Sequence, residues 1–213
     1  MAWSPPTPRP GHPYYMHDAI YAQPGAIRLV LRNNAEALKA AAAHLRALER
    51  VFLSGIGTSW HACLVGELLL SQIGRLGHRV RAFHSFEFKN YWPDPDPRTG
   101  VIVVSHRGTK RFSLEALQKA KAGGGVGVAI TGLGSGEGVK IADYLLTTVE
   151  QENSAAHTIS YTTALSLLAA LAAEIGGDEE TMHALEAIPD QMAFLLGQES
   201  WEEQAVRFSD RRR

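Results

Sequence analysis

A run of four β-branched residues followed at once by a polar loop is the feature that most constrains this fold. Val101, Ile102, Val103 and Val104 predict a buried strand, and residues 105–110 predict a loop that leads into a helical pattern. A strand that passes through a polar turn into a helix directs free backbone N–H groups and the positive end of the helix at that turn. Such a turn suits an anion.

Two interpretations of this loop compete. Ser105 and Thr109 offer hydroxyls and Arg107 and Lys110 offer positive charges, so together they could hold an anionic ligand. Alternatively, the hydroxyls only cap the following helix while the two cations face water. The loop alone does not separate the two.

Further short apolar runs alternate with helical patterns along the chain, and they predict four more strands. Five strands that alternate with helices indicate an α/β fold, with a parallel sheet covered by helices on both faces. The predicted strands besides 101–104 are residues 51–54, 79–83, 126–130 and 144–149, and the predicted helices include residues 25–49, 158–174 and 178–196.

Polar turns follow the first, third and fifth predicted strands. They comprise residues 57–59, 105–110 and 152–158. Because ligands of parallel sheets bind beyond the carboxyl ends of the strands, all three turns are expected at one edge. Their convergence favours the anion site over simple capping, and it indicates a polar cleft for a small ligand.

Charge and cysteine content exclude several classes of function. The net charge of -1, with both signs intermixed, argues against a nucleic-acid surface and against a basic membrane surface. Cys63 is the single cysteine, so no intramolecular disulfide forms, and a buried core position is expected for it. We predict no cofactor and no metal, no apolar run long enough to cross a bilayer, and a cytoplasmic location.

Three segments of the chain together resemble a known family. Residues 57–62 are similar to the Gly-Thr-Ser-Tyr-x-Ala opening of SIS (sugar isomerase) domains, and residues 16–27 resemble the segment that begins the isomerase half of glucosamine-6-phosphate synthases. The order of later elements agrees, including residues 85–88, and the resemblance covers about residues 14–200. It implies a flavodoxin-like three-layer sandwich with a five-stranded parallel sheet flanked by helices.

The resemblance also implies a phosphosugar site. In the synthases a Ser-Gln-Ser-Gly-Glu-Thr run holds the sugar phosphate, and here only its first serine and its glycine are kept, since Arg107 and Lys110 replace hydroxyl residues. Both cations can still bind a phosphate. The implied substrate-binding residues are Gly57, Thr58, Ser59, Ser105, His106, Arg107, Gly108, Thr109, Lys110, Ala156 and His157, of which the last two fall on a family Ala-Ser pair.

No catalytic residue is assigned. His106 and His157 could serve as acid–base groups or only as hydrogen-bonding groups. Glu87 and Glu152 are expected to have structural or surface roles. The glycine-rich residues 132–138 are interpreted as a connector, and the alanine-rich residues 164–173 as a close helix contact within the domain or between subunits.

The chain is expected to comprise a disordered proline-rich leader (1–15), a helical segment (16–50), a single SIS domain (51–200) and a basic tail (201–213) that could mark a truncation. The synthases carry two SIS domains in tandem, so a homo-oligomer, or a second SIS domain or chain, is the expected partner besides the phosphosugar. Three hypotheses follow: an isomerase or deaminase acting on an amino- or ketosugar phosphate, a non-catalytic phosphosugar sensor, or a synthase half that needs its second domain.

Overall fold

Five parallel strands form the centre of the molecule. The structure is a computed structural model that describes residues 6–92, 94–154, 156–198 and 200–209. The strand order is β2-β1-β3-β4-β5. Every neighbouring pair is parallel, and this parallel arrangement is what the sequence predicts. The strands are β1 (Arg50–Gly55), β2 (Val80–His84), β3 (Thr99–Val104), β4 (Val126–Thr131) and β5 (Tyr144–Thr147).

Alternate residues of each strand point to opposite faces of the sheet, and each face has its own core. Ile102 and Val104 belong to the larger core, which α1, α2, α3 and α6 cover, whereas Val101 and Val103 belong to the core under α4 and α5. This arrangement confirms the three-layer α/β fold. The helices are α1 (Tyr15–Asn33), α2 (Ala35–Arg46), α3 (Thr58–Gln72), α4 (Ser85–Tyr91), α5 (Arg111–Ala122), α6 (Ile159–Gly176), α7 (Glu179–Leu196) and α8 (Ser200–Ser209).

The helical segment predicted over residues 25–49 consists of two helices that meet at Asn34, and the first of them begins ten residues earlier, at Tyr15. The Asn34 side-chain amide donates to Val30 O at 2.7 Å and to Thr147 O at 2.9 Å. Its Oδ1 accepts from the Thr147 backbone N–H at 2.7 Å. The amide therefore pairs with the edge of β5 as a strand would, and it fixes the break between α1 and α2 to the sheet.

Helix α6 crosses the larger core. By length and composition its 18 residues could span a bilayer, so the prediction that no run is long enough is wrong on that count. However, 67% of the helix is buried inside the fold, as in the core helix of a water-soluble domain. Its alanine-rich residues 164–173 pack against α1, α2 and α3, which places the predicted close helix contact within the domain.

The two ends of the described chain lie on the surface. Arg9 forms an ion pair with Asp18 of α1 at 2.7 Å, and the Tyr15 hydroxyl donates to Thr7 O at 3.1 Å. Helix α8 begins at Ser200, at the predicted limit of the SIS domain, and covers most of the segment predicted as a basic tail. Residues 1–5 of the predicted leader and residues 210–213 of the tail lie outside the described residues, and the predicted domain limits remain predictions.

Candidate functional site

A cavity of about 320 Å³ opens beyond the carboxyl ends of β1 and β3. These strands are neighbours at the centre of the sheet, but α3 follows β1 onto one face and α5 follows β3 onto the other. The diverging connections leave a crevice at this switch point, where α/β proteins bind ligands. Of the predicted binding residues, Gly57, Thr58, Ser59, Ser105, His106, Arg107, Lys110 and His157 line the cavity, whereas Gly108, Thr109 and Ala156 do not.

The turn after β1 begins α3 directly at the cavity. Gly57 precedes the helix with φ of 60°, and no side chain caps the first turn. A Cβ on Gly55 would lie 2.5 Å from Ser59 O, so only glycine allows the backbone to turn this tightly. Thr58 and Ser59 thus present their hydroxyls at an uncapped helix N-terminus that favours negative charge.

The loop after β3 is held by the last residue of β4 and by the residue that follows it. Thr131 Oγ1 donates to Ser105 O at 2.8 Å, and the Gly132 N–H donates to His106 O at 2.8 Å. Gly108 is buried with φ of 61°, and a Cβ there would lie 3.0 Å from Ser135 Cβ. Gly108 therefore shapes the loop against residues 132–138, the predicted connector, rather than facing a ligand.

Two buried polar atoms in this loop lack partners. Among the described residues, neither Ser105 Oγ nor His106 Nε2 has a hydrogen-bond partner, although both atoms are shielded from water. The other ring nitrogen of His106, Nδ1, lies 3.3 Å from Thr148 Oγ1. Because buried polar groups are normally paired, the two unpaired atoms at the cavity wall indicate a place for a polar ligand.

The charges around the cavity favour an anion. Arg107 and Lys110 both line it, Lys110 precedes α5 without a side-chain cap on that helix, and the described lining residues include no carboxylate. Burial and the neighbouring His157 lower the pKa of His106 to about 4; the Glu152 carboxylate opposes this shift and Arg107 adds to it. His106 is therefore neutral near pH 7 and can donate or accept one hydrogen bond at each ring nitrogen.

The turn after β5 differs from the two other turns because it contains an acidic residue, Glu152. The Glu152 carboxylate accepts from the backbone N–H groups of Thr158, Ile159 and Ser160 at 2.8, 2.8 and 3.1 Å, and also from the Ser160 hydroxyl. Burial alone would raise the pKa of Glu152, but these donors outweigh it and lower the pKa. Glu152 therefore caps α6, and His157 Nδ1 lies 3.4 Å from its Oε2.

Sequence reasoning missed several residues of the cavity wall, notably Ser113 and Thr148. Ser113 lies one helical turn after Lys110, a spacing that could have placed it on the same face. Its hydroxyl lies 3.1 Å from Ser85 Oγ, to which Ser54 Oγ donates at 2.9 Å. This chain of three buried hydroxyls joins β1, α4 and α5 behind the cavity.

Two other residues lie where the sequence suggested they would. Cys63 is buried in the larger core, where burial raises its pKa and keeps the thiol protonated. Glu87 is exposed on α4 and does not line the cavity. Neither group adds chemistry to the candidate site.

Comparison with known sequences points to one family. The family model of the SIS domain matches residues 44–174. A glutamine–fructose-6-phosphate aminotransferase (isomerizing) of Thermococcus kodakarensis is 31% identical over 167 residues, which cover 78% of this chain and 27% of that protein. The corresponding protein of Aeropyrum pernix is 36% identical over 135 residues. The chain thus spans about a quarter of the length of these curated relatives.

Solved structures share the fold at low sequence identity. The C-terminal domain of glucosamine-fructose-6-phosphate aminotransferase from Francisella tularensis has a TM-score of 0.72 at 19% identity, covering 90% of this chain and 57% of that one. Tagatose-6-phosphate ketose/aldose isomerase from Escherichia coli has a TM-score of 0.66 at 20% identity, covering 89% and 55%. Both likenesses concern the fold.

Proposed function

Because the chain belongs to the SIS domain family, we propose that its cavity binds a phosphorylated sugar or amino sugar. The observation that carries this proposal is the buried, unpaired Ser105 hydroxyl, which lies in a cavity lined by two cations and no described carboxylate. The curated relatives carry fructose 6-phosphate in their names, which supports a hexose phosphate as the ligand.

The proposed contacts divide between the phosphate and the sugar. Arg107 can fork two N–H groups onto a phosphate and Lys110 supplies a point charge, while the start of α5 adds backbone donors. Thr58 and Ser59 provide hydroxyls at the start of α3. Because Gly108, Thr109 and Ala156 do not line the cavity, we leave them out of the proposed contact set.

Thermal unfolding with added ligands tests this proposal. A ligand that binds only the folded state raises the melting temperature, so fructose 6-phosphate or glucosamine 6-phosphate should stabilise the protein while free fructose should not. Ser105→Ala, which removes the unpaired hydroxyl, should reduce the shift. Equal shifts with fructose and fructose 6-phosphate, or no shift with either phosphate, would contradict phosphosugar binding.

We further propose that this domain alone binds the sugar without efficiently isomerising it. Glu152 is engaged at the start of α6, and the described residues that line the cavity include no carboxylate. The pKa of His106 is lowered to about 4, which makes its neutral ring a weak base. If the protein takes part in an enzyme, a second SIS domain or a partner chain supplies the base and the other groups that isomerisation needs. The alternative to an enzyme is a non-catalytic phosphosugar sensor. The hydrogen bonds that tie Glu152 to the start of α6 favour this alternative as well, because they leave Glu152 unavailable as a base.

Proton exchange at C2 of the bound sugar separates binding from catalysis. The purified chain and fructose 6-phosphate are mixed in heavy water and followed by NMR. We expect saturable binding with slow exchange, since the step needs a base close to C2. Rapid exchange that is lost in His157→Gln would show instead that the single domain is catalytic.

We also propose a cytoplasmic location and a homo-oligomeric assembly. The burial of α6 within the fold supports a water-soluble domain. Exposed apolar side chains on α3, including Leu64 and Leu68, support an assembly through that helix.

A further inference from the structure

Three potential metal ligands meet on the surface where the start of α1 approaches α8. His12 precedes α1, His17 lies in its first turns, and Glu202 lies in the first turn of α8. One ligand atom from each residue lies within 4.8 Å of the others, and His17 Nε2 is 3.3 Å from Glu202 Oε1. None of the three lines the cavity beyond β1 and β3.

The spacing of these atoms suits a tetrahedral cation. Zn²⁺ binds imidazole nitrogen and carboxylate oxygen at about 2.0–2.2 Å, which places neighbouring ligand atoms roughly 3.3 Å apart. The His17–Glu202 pair already has this separation. The rings of His12 and His17 pack edge to face with centroids 4.7 Å apart, and His12 is exposed, so its side chain is free of the packing that would hold it away from the other two ligands.

The Asp18 carboxylate lies near the ring nitrogen of His17 that faces away from Glu202. Asp18 Oδ1 lies 3.7 Å from His17 Nδ1, and Asp18 is itself held by Arg9 at 2.7 Å. Nδ1 is buried and has no hydrogen-bond partner among the described residues. A carboxylate facing the distal nitrogen of a metal-bound histidine orients the ring and increases its basicity, so Asp18 is placed as an outer-sphere partner.

We propose that His12, His17 and Glu202 form a zinc site that fastens α8 to the start of α1. Two imidazoles and one carboxylate are donors that favour Zn²⁺, whereas Mg²⁺ and Ca²⁺ prefer sites made only of oxygen. Helix α8 buries no residue, so the apolar core contributes little to holding it in place. A cation that joins Glu202 to His12 and His17 provides that attachment.

Metal titration of the tag-free protein tests the site. Zn²⁺ affinity is measured by competition with a chromophoric chelator, and Co²⁺ is used as a visible probe of tetrahedral coordination. We expect one Zn²⁺ per chain, with affinity lowered at least about tenfold by His17→Ala and by Glu202→Gln. His183→Ala and Glu203→Gln alter exposed residues outside the cluster and serve as matched controls, with affinity unchanged.

The position of α8 gives a second readout. Zn²⁺ should slow backbone hydrogen exchange in residues 200–209 of the wild type, and it should have no such effect in Glu202→Gln. The proposal would be overturned if Glu202→Gln still bound zinc as tightly as the wild type, or if Glu203→Gln lost as much zinc affinity as Glu202→Gln. It would also be overturned if zinc bound without slowing hydrogen exchange in α8. The outcome is independent of sugar binding, because the two sites share no residue.

Discussion

At the scale of single residues, replacing Lys110 tests whether positive charge in the cavity binds the ligand. It lines the cavity yet is exposed, so Lys110→Ala should leave the free energy of unfolding of the unliganded protein within about 0.5 kcal/mol. A charged hydrogen bond contributes roughly 1.5–3 kcal/mol, so the affinity for fructose 6-phosphate should fall about tenfold to a hundredfold.

Calorimetric titration measures this effect of Lys110→Ala. The matched control is Lys39→Ala, which removes an exposed lysine of α2 that does not line the cavity. If both variants bind fructose 6-phosphate as tightly as the wild type, Lys110 only faces solvent and the charge argument fails.

His106 should make the stability of the protein depend on pH. Its pKa is lowered from 6.5 to about 4 in the fold, so between these values the unfolded chain binds more protons than the folded one. The free energy of unfolding therefore falls as the pH drops from about 6.5 towards 4. His106→Gln lacks this group and should lose less stability than the wild type over that range.

Urea unfolding at pH 7 and pH 5 compares the two proteins. Glu152 does not disturb this comparison. Its pKa is lowered in the fold, so the stability that it contributes is lost only as the pH falls below about 4.5. His183→Gln, which alters an exposed histidine of α7, should follow the wild type. Identical pH dependences for His106→Gln and the wild type would show that His106 is not held neutral by the fold.

At the level of secondary-structure elements, the Glu152 side chain, which precedes α6 in the chain, caps the start of that helix. The Glu152 carboxylate accepts from three backbone N–H groups of the first turn, and Glu152→Gln keeps its size while removing the charge. We expect the free energy of unfolding at pH 7 to fall by roughly 1–3 kcal/mol, as for a lost charged hydrogen bond at a helix N-terminus.

The neighbour Glu150 supplies the control for that measurement. Glu150 is exposed, so Glu150→Gln should change the midpoint of urea unfolding very little. Glu152→Gln should also move His157, whose Nδ1 lies 3.4 Å from the carboxylate. A midpoint for Glu152→Gln equal to that of Glu150→Gln would show that the cap contributes nothing.

The sequence predicts elements well where the local pattern decides them. The β-branched run of β3 is buried throughout, and its position in a parallel sheet follows from the alternation of strands and helices. The break at Asn34 had a local sign that the sequence analysis missed, because asparagine is a weak helix former and a common N-cap, and Asn33 and Asn34 stand in a row. The contact that fixes the break to the sheet had no such sign, because Thr147 lies 113 residues away along the chain.

At the scale of the whole molecule, the position of the candidate site was predictable but its wall was only partly so. Parallel strands bring all polar turns to one edge, which is why eight of the predicted residues line one cavity. Whether a loop residue faces the cavity depends on packing between loops. Gly108 turns inward against Ser135, and the sequence gives no sign of that contact.

The last prediction concerns assembly through α3. Leu64, Val65 and Leu68 are 45%, 37% and 55% exposed on this helix, whereas the apolar surface of α6, which had suggested an oligomer, is used inside the domain. We expect a homodimer at micromolar concentration. Because Leu68 is more than half exposed, Leu68→Glu should dissociate the dimer while changing the stability of the monomer by only about 0.5 kcal/mol.

Sedimentation velocity measures the assembly of the wild type and of two variants. Leu195→Glu alters a residue of α7 that is 50% exposed, so it is a matched control that should remain dimeric. A monomeric wild type would exclude the dimer, and dissociation by Leu195→Glu alone would place the interface on α7.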